Sequence, residues 1–286
     1  MKPLTIACIP ALIGLTVGLS LYFSIGWWGF LVLFPWIGSA IALGIYLRMK
    51  SRKKKRKALG RRISILLILP ALLIFVPFLN NENFQLEGVA LIVLAGFYSK
   101  GFIHYCVAKL FGPLIWGRGF CGWACWTAAV LDWLPVKRKR GTIPGRLKSL
   151  RYAALAVSLA LPLYLVLVVK YDVHADYIGK AELSWMMVSS GLYYLLAVPM
   201  AFWFRDRRAF CKVLCPVSLV MKVPARFARI RKRPTSERCI ECGICTAACP
   251  MDVDVMSYVS KGEKVTDTEC ILCSTCSIYC PSGAVR

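Results

Sequence analysis

Between Leu4 and Leu47 the chain runs for 44 residues without one charged side chain. A bilayer core about 30 Å thick takes roughly 20 apolar residues per helix, so this stretch is long enough to cross twice. Gly26 and the Trp27–Trp28 pair divide it into two expected helices, 4–23 and 28–47, with the tryptophans at the interface. The first helix leads straight into the second with no small-residue cleavage site, and is expected to stay as an anchor. Further apolar stretches at 63–79, 88–106, 151–169 and 185–204 bring the expected spans to six. Pro70 and Pro77 interrupt the third, while Lys100 and His104 load the fourth. Hydrophobic residues make up 58% of the chain, against about 45–50% in soluble domains.

Lys and Arg number 37 against 14 Asp and Glu, a formal charge of +23, and their distribution sets an orientation. Basic residues crowd 48–57 and Arg61–Arg62, then 137–140 with Arg146 and Lys148, then Arg205, Arg207, Arg208 and 229–233. The alternate loops, at 24–28, 80–87 and 170–184, hold only Lys170 and Lys180. The positive-inside rule then predicts a multi-pass protein of a bacterial-type inner membrane with both termini cytoplasmic. The run at 50–57 reads as a topology determinant beside anionic lipid. No nucleic-acid fold signature accompanies it, and no nucleic-acid partner is expected.

Fourteen cysteines are present, eight of them between Cys239 and Cys280. Both Cys239–Pro250 and Cys270–Pro281 read C-x2-C-x2-C-x3-C-P, the two-cluster ferredoxin run in which the fourth Cys of each run serves the other cluster. One [4Fe-4S] cluster is thus expected on Cys239, Cys242, Cys245 and Cys280, and a second on Cys270, Cys273, Cys276 and Cys249. Three thiolates on one tight loop reach three corners of a cubane, and the fourth corner needs a cysteine from elsewhere. Zinc is the alternative for any close cysteine set, but two complete copies with matching Cys-Pro endings favour iron. Thiolate ligation also places this region in a reducing compartment.

Two further pairs sit beside the spans. Phe120-Cys121-x3-Cys125 and Phe210-Cys211-x3-Cys215 each follow an expected membrane helix and precede an amphipathic stretch and a basic cluster. This internal repeat suggests two similar halves facing each other. Spacing of i and i+4 would put both sulfurs of a pair on one helix face, so Cys121, Cys125, Cys211 and Cys215 are candidates for a further metal site or for redox thiols. Cys8 and Cys106 lie in spans and read as packing residues. His104, within the fourth span, and His174, between Asp172 and Asp176, are the two histidines and the candidate proton acceptors. No covalent haem motif, nucleophile triad, phosphate loop or dinucleotide fingerprint occurs.

The expected fold is an all-α polytopic membrane bundle of about six transmembrane helices, with a small C-terminal α+β ferredoxin domain of the bacterial two-cluster type. Its expected parts are a hairpin at 1–47, a basic cytoplasmic loop at 48–62, a four-helix core at 63–234 carrying both C-x3-C motifs at its cytoplasmic side, and the ferredoxin domain at 235–286.

From about residue 60 onward the order and spacing of these motifs resemble the NapH/MauN/NosR group of ferredoxin-type membrane proteins. Cys211–Cys215–Pro216 fits that group's pattern; Trp126 stands where a proline would follow Cys125, and the hairpin at 4–47 is additional. The resemblance implies the quinol-oxidising membrane component of a quinol dehydrogenase. Such a protein passes electrons between the quinone pool and a periplasmic respiratory or dehydrogenase system, with a ferredoxin-type or cytochrome subunit as partner. MauN-like relatives imply an alternative, an electron donor for assembly or maturation of a periplasmic redox enzyme.

Overall fold

The computed structural model describes residues 3–96, 100–178 and 181–286. Helices α1 (Pro3–Ile25) and α2 (Gly29–Lys50) form the expected hairpin. Gly14 and Gly38 let them touch: a Cβ on Gly14 would stand 2.4 Å from the Phe34 carbonyl oxygen, and one on Gly38 2.4 Å from that of Pro10. Small residues give membrane helices this close approach, since lipid supplies no hydrophobic drive to press them together.

The basic segment expected as a loop is largely helical. Helix α2 continues to Lys50 and α3 (Lys54–Asn80) starts four residues later, because Lys and Arg are good helix formers and their long side chains stay solvated outside the apolar part. In α3 the turn widens to a π-helix at Ala71–Phe75, two residues ahead of Pro77. The same device recurs at Cys106–Phe111 ahead of Pro113. A proline cannot donate the next ladder bond, and the wider turn absorbs that loss without ending the helix.

The expected fourth span at 88–106 is broken. Helix α4 (Leu86–Leu94) stops at a turn over Ala95 and Gly96, and the next apolar helix, α5 (Phe102–Trp116), starts later. Contacts trace the path. Asn81 accepts a hydrogen bond from Leu183 N, Phe84 O lies 2.9 Å from Lys109 Nζ, and Leu91 and Ile92 pack against Leu165, Val166 and Val173. After α3 the chain therefore dips between the helices and returns as the half-helix α4. Hydropathy registered only the apolar content of that half-helix. Residues 82–86 are all buried, as non-helical backbone at membrane depth must be. Gln85 N donates to Asn83 Oδ1, and Gln85 Nε2 donates to Ser190 Oγ of a later helix.

Short helices α6 (Gly119–Trp123) and α7 (Trp126–Leu131) follow, then α8 (Gly145–Val169), α9 (Val173–Ile178) and α10 (Ala181–Trp203). Among the described residues five helices, α1, α2, α3, α8 and α10, are long and apolar enough to cross a membrane. Leucine, valine and aromatic side chains such as Val157, Leu167, Val188, Leu195 and Trp203 stand exposed on α8 and α10, a surface suited to lipid. The shared core centres on Ile68, Ala71 and Leu72 of α3, with Leu33, Met186 and Trp126 around it.

After α10 come α11 (Ala209–Val213) and α12 (Val217–Ala225), then the tail, with α13 (Ile244–Ala248), α14 (Val255–Ser260) and α15 (Thr275–Tyr279). The β part expected of the ferredoxin domain shrinks to one antiparallel bridge, Pro234 with Val285. Arg233 and Arg286 exchange backbone hydrogen bonds beside it, at 3.1 and 2.9 Å. The cysteine loops use most of the chain in between, leaving no length for a longer ladder.

Candidate metal centres

The two cysteine runs of the tail repeat in backbone as well as in sequence. Glu241 and Gly243 flank Cys242 with φ of 51° and 72°, and Leu272 and Ser274 flank Cys273 with φ of 51° and 61°. Three of these four are not glycine, and each such residue costs on the order of 1–2 kcal/mol in the left-handed region. That strain marks a loop wrapped around something. Alternating handedness turns successive N–H groups toward one side, a concavity that suits an anionic iron–sulfur group. Helices α13 and α15 then begin at matching places and carry Cys245 and Cys276.

Cys249, Cys270, Cys273 and Cys276 line one cavity, closed by Val253, Val255 and other apolar groups. Lys232 stands at its edge and donates to Ser274 Oγ at 2.6 Å. Burial first, then the neighbouring thiol Cys273, pushes Cys249 up to about 12 and Cys276 up to about 11. Such thiols stay protonated unless a metal displaces the proton, the expected behaviour of cluster ligands. The other set is closer to solvent. Cys245 lies near Cys239 and Cys280, and Cys242 is exposed. Burial acts to raise Cys280, but hydrogen bonds from Ser282 and the backbone at 282–284 outweigh it and lower this thiol. Among the described residues no three His, Cys, Asp or Glu side chains close around a single ion. The two complete C-x2-C-x2-C-x3-C-P runs fit cubane ligation.

The C-x3-C pairs also form a structural repeat. Ala124 N and Cys125 N both donate to Phe120 O, at 2.9 and 3.0 Å; Leu214 N and Cys215 N donate to Phe210 O at the same two distances. Each pair spans a short helix and a bend, and the second cysteine stands just before the next helix, α7 or α12. This differs from two cysteines on one continuous helix face, although the four thiols still converge. Burial first, then Cys121 and Cys211, pushes Cys125 up to about 12, and Cys215 is raised well above its usual value by burial and the other three thiols. Trp126 begins α7 much as Pro216 caps α12, so the missing proline leaves the geometry intact.

Sequence reading missed the cations around this quartet. Arg118 and Arg208 occupy the same place in the repeat, three residues before Cys121 and Cys211, and each is 1% exposed. The signal was present, since the repeat is Arg-x-Phe-Cys-x3-Cys. Arg208 grips Asp132 through Nε at 3.1 Å and Nη2 at 2.8 Å and donates to Cys121 O. Arg61 of α3 shares Asp132 and donates to Gly122 O at 2.7 Å. Lys109, 2% exposed, lies over the rings of Tyr105 and Trp126 at 4.3 and 4.8 Å.

The tail is docked on this region. Glu269, next to Cys270, binds Arg118, Arg151 at 2.7 Å and Lys222 at 2.6 Å. Asp252 binds Arg138 and Lys212, the latter at 2.5 Å. Trp123 Nε1 donates to Leu272 O at 3.1 Å, and a Cβ on Gly122 would stand 2.1 Å from Ile271 O. One C-x3-C loop thus lies directly on the Cys270–Cys276 loop.

The two histidines differ. His174 is exposed on α9, whose first turn Asp172 caps at His174 N and Ala175 N. Helix α10, 23 residues or about 35 Å long, lies between it and Cys211. Lys180, and the side chains of Lys100 and Asp176, lie outside the described residues. His104 is 8% exposed, stacks near Phe84 at 5.3 Å, and has no hydrogen-bond partner on either ring nitrogen. Cys8 and Cys106 join neither cysteine group.

Comparison with known proteins agrees with this division. Residues 238–285 match a 4Fe-4S dicluster domain. Residues 107–142 and 191–234, which contain the two C-x3-C pairs, match a 4Fe-4S binding domain. The uncharacterized protein MJ0750 of Methanocaldococcus jannaschii is 27% identical over 219 residues, covering 71% of this chain and 88% of that protein. The uncharacterized protein MJ0749 of the same organism is 27% identical over 213 residues, covering 72% and 81%. No solved structure matches the chain. The chain is a ferredoxin-type iron–sulfur electron-transfer protein, with two [4Fe-4S] clusters and apolar helices compatible with a membrane.

Proposed function

We propose that the chain oxidises a membrane quinol and passes its electrons to the tail clusters, as in the NapH/MauN/NosR group it resembles. The observation that carries this is a cavity of about 450 Å³ between the hairpin and the core, lined by apolar side chains such as Ile13, Ile37 and Phe120, with His104 in its wall. Small-molecule sites have this size and character, an apolar slot with few polar groups. A quinol hydroxyl would donate to an unpartnered ring nitrogen of His104, which takes up the proton as the electrons leave. The Lys109 ammonium, within electrostatic reach of His104, favours the quinolate that forms. Leu272 also lines the cavity, and it lies between Cys270 and Cys273.

Cys270, Cys273, Cys276 and Cys249 would hold the cluster nearer the membrane, and Cys239, Cys242, Cys245 and Cys280 the outer one. Each cluster takes one electron at a time, so a two-electron donor is emptied in two steps. Ile240 and Ile244, 62% and 43% exposed beside Cys242, offer a contact for a partner ferredoxin-type or cytochrome subunit. The basic ends of α2, α3 and α10 support an orientation with both termini on the cytoplasmic face of an inner membrane.

The test uses anaerobically purified protein in detergent, with low-temperature electron paramagnetic resonance before and after addition of a reduced quinol analogue. Cluster signals should appear on addition, and His104→Leu should slow them at least tenfold with iron content unchanged. Clusters that ignore the quinol, or a His104→Leu protein as fast as the wild type, would refute the reading.

A further inference from the structure

The geometry points to a binding site for an anionic phospholipid, at the membrane edge where the tail rests on the core. A hollow of about 440 Å³ is lined by four basic residues, Arg231, Lys232, Arg233 and Arg286, together with Trp123 and Leu272. No Asp or Glu lines it.

The charge of these four is not met by the protein's own acids. Among the described residues none of them takes part in an ion pair. Arg231 is spent on carbonyl oxygens, those of Ala225, Ala228 and Thr266 at 3.2, 2.9 and 2.8 Å, and Lys232 donates to Ser274 Oγ. Arg233 and Arg286 are exposed, and the backbone bonds between them hold the two residues side by side. Like charges gathered in this way repel one another unless an anion sits among them. The forked donors of a guanidinium match two oxygens of a phosphate.

The surroundings favour a lipid headgroup over a free anion. Trp123 and Leu272 also line the apolar cavity between the hairpin and the core, so the hollow lies at the tail end of that cavity. Lys232 is within electrostatic reach of Arg48, in the basic last turn of α2. Ile230 lines the hollow as well, and its N–H donates to Ile115 O at 2.7 Å. Ile230, Phe227, Leu114 and Ile115 are all exposed, an apolar strip directly beside the cations. Cations at one end and bare apolar side chains at the other suit a molecule that is anionic at its head and apolar in its chains. A free phosphate would satisfy the cations and leave the strip bare.

A lipid bound there gives the tail a second fastening. Its headgroup would meet the core at Trp123, the linker at 231–233 and the closing bridge at Arg286, apart from the ion pairs of Glu269 and Asp252.

The test is retention of added lipid by the full chain, purified in a neutral detergent and read by native mass spectrometry. Phosphatidylglycerol should be held about tenfold or more tightly than phosphatidylcholine, which carries the same phosphate but no net charge. The Arg233→Gln, Arg286→Gln double variant should hold it about 30-fold more weakly, with the paramagnetic signals of the tail clusters unchanged. A Lys54→Gln, Lys55→Gln control in the basic run of α3 should hold it nearly as the wild type does. Equal retention of the two lipids, an unaffected double variant, or a loss as large in the control would overturn the inference. So would displacement of the lipid by inorganic phosphate at the same concentration, which would make the site one for a free anion. Hydrogen exchange on the wild type needs no variant: phosphatidylglycerol should slow exchange over 229–234 and 283–286, and unchanged exchange there would also overturn the inference. Quinol forms no part of these measurements, so they can fail or succeed independently of the proposed function.

Discussion

Gly122→Ala tests the contact between membrane core and tail most directly. The added Cβ would begin 2.1 Å from Ile271 O, whereas ordinary contact starts at 3.4 Å, so one loop must retreat by about 1.3 Å. The obstacle is backbone and cannot rotate away. The membrane-side loop is pinned, because Gly122 O accepts from Arg61 at 2.7 Å and Cys121 O from Arg208 at 3.0 Å. The tail loop therefore moves. Overpacking of this kind costs about 1–3 kcal/mol, which multiplies the undocked population by roughly 5- to 150-fold. Hydrogen exchange followed by mass spectrometry should show lost protection over residues 268–274 and little change within α3. Gly145→Ala, where nothing lies within 4 Å, is the control. Unaltered protection at 268–274 in Gly122→Ala would show that the two loops do not bear on each other.

Three other measurements follow from the same geometry. Asp132→Asn removes the carboxylate shared by Arg61 and Arg208, and breaking a buried pair costs about 3–5 kcal/mol; a denaturation midpoint in detergent within error of the wild type would contradict this. Glu269 would be raised by burial, but Arg118 foremost, with Lys222 and Arg151, holds it down from 4.5 to about 2. Its lowered value means that its contribution to docking, about 3 kcal/mol, is present above pH 4.5 and fades as the pH falls toward 2. Proteolysis of the 229–237 linker should accelerate over that range in the wild type, and Glu269→Gln should start more sensitive and accelerate less, the remaining pH dependence coming from Asp252, which burial would raise but Lys212 and Arg138 also hold down. Cys249→Ser should disturb the cluster of the Cys270 run and spare that of its own run, read as selective loss of one of two paramagnetic signals; loss of the other signal would refute the crossed ligand sets.

Much of the fold was legible because its determinants are local. An uncharged stretch of 44 residues declares a hairpin, and cysteines three and four residues apart declare cluster loops. The Phe-Cys-x3-Cys repeat likewise declared two loops of one backbone shape. What escaped was non-local. Hydropathy averages over a window, so the dip at 82–86 and the half-helix α4 read as part of one span; only contacts such as Lys109 with Phe84 reveal the turn back. A run of Lys and Arg looked like a loop because charge was the salient property, though the same residues favour helix. Arg118 and Arg208 were visible as letters, but their burial depends on distant acids, Glu269 for Arg118, 151 residues away, and Asp132 for Arg208, 76 residues away.

The docking of the tail has a kinetic consequence. Each of two carboxylates is held by several cations from different elements, and a glycine admits the neighbouring backbone. Held this way, the tail is a fixed wire and not a swinging arm. Electron passage within one molecule should then be a first-order event, indifferent to solvent viscosity and to protein concentration. Thickening the medium with sucrose would slow only the encounter with whatever protein meets the exposed face near Cys242.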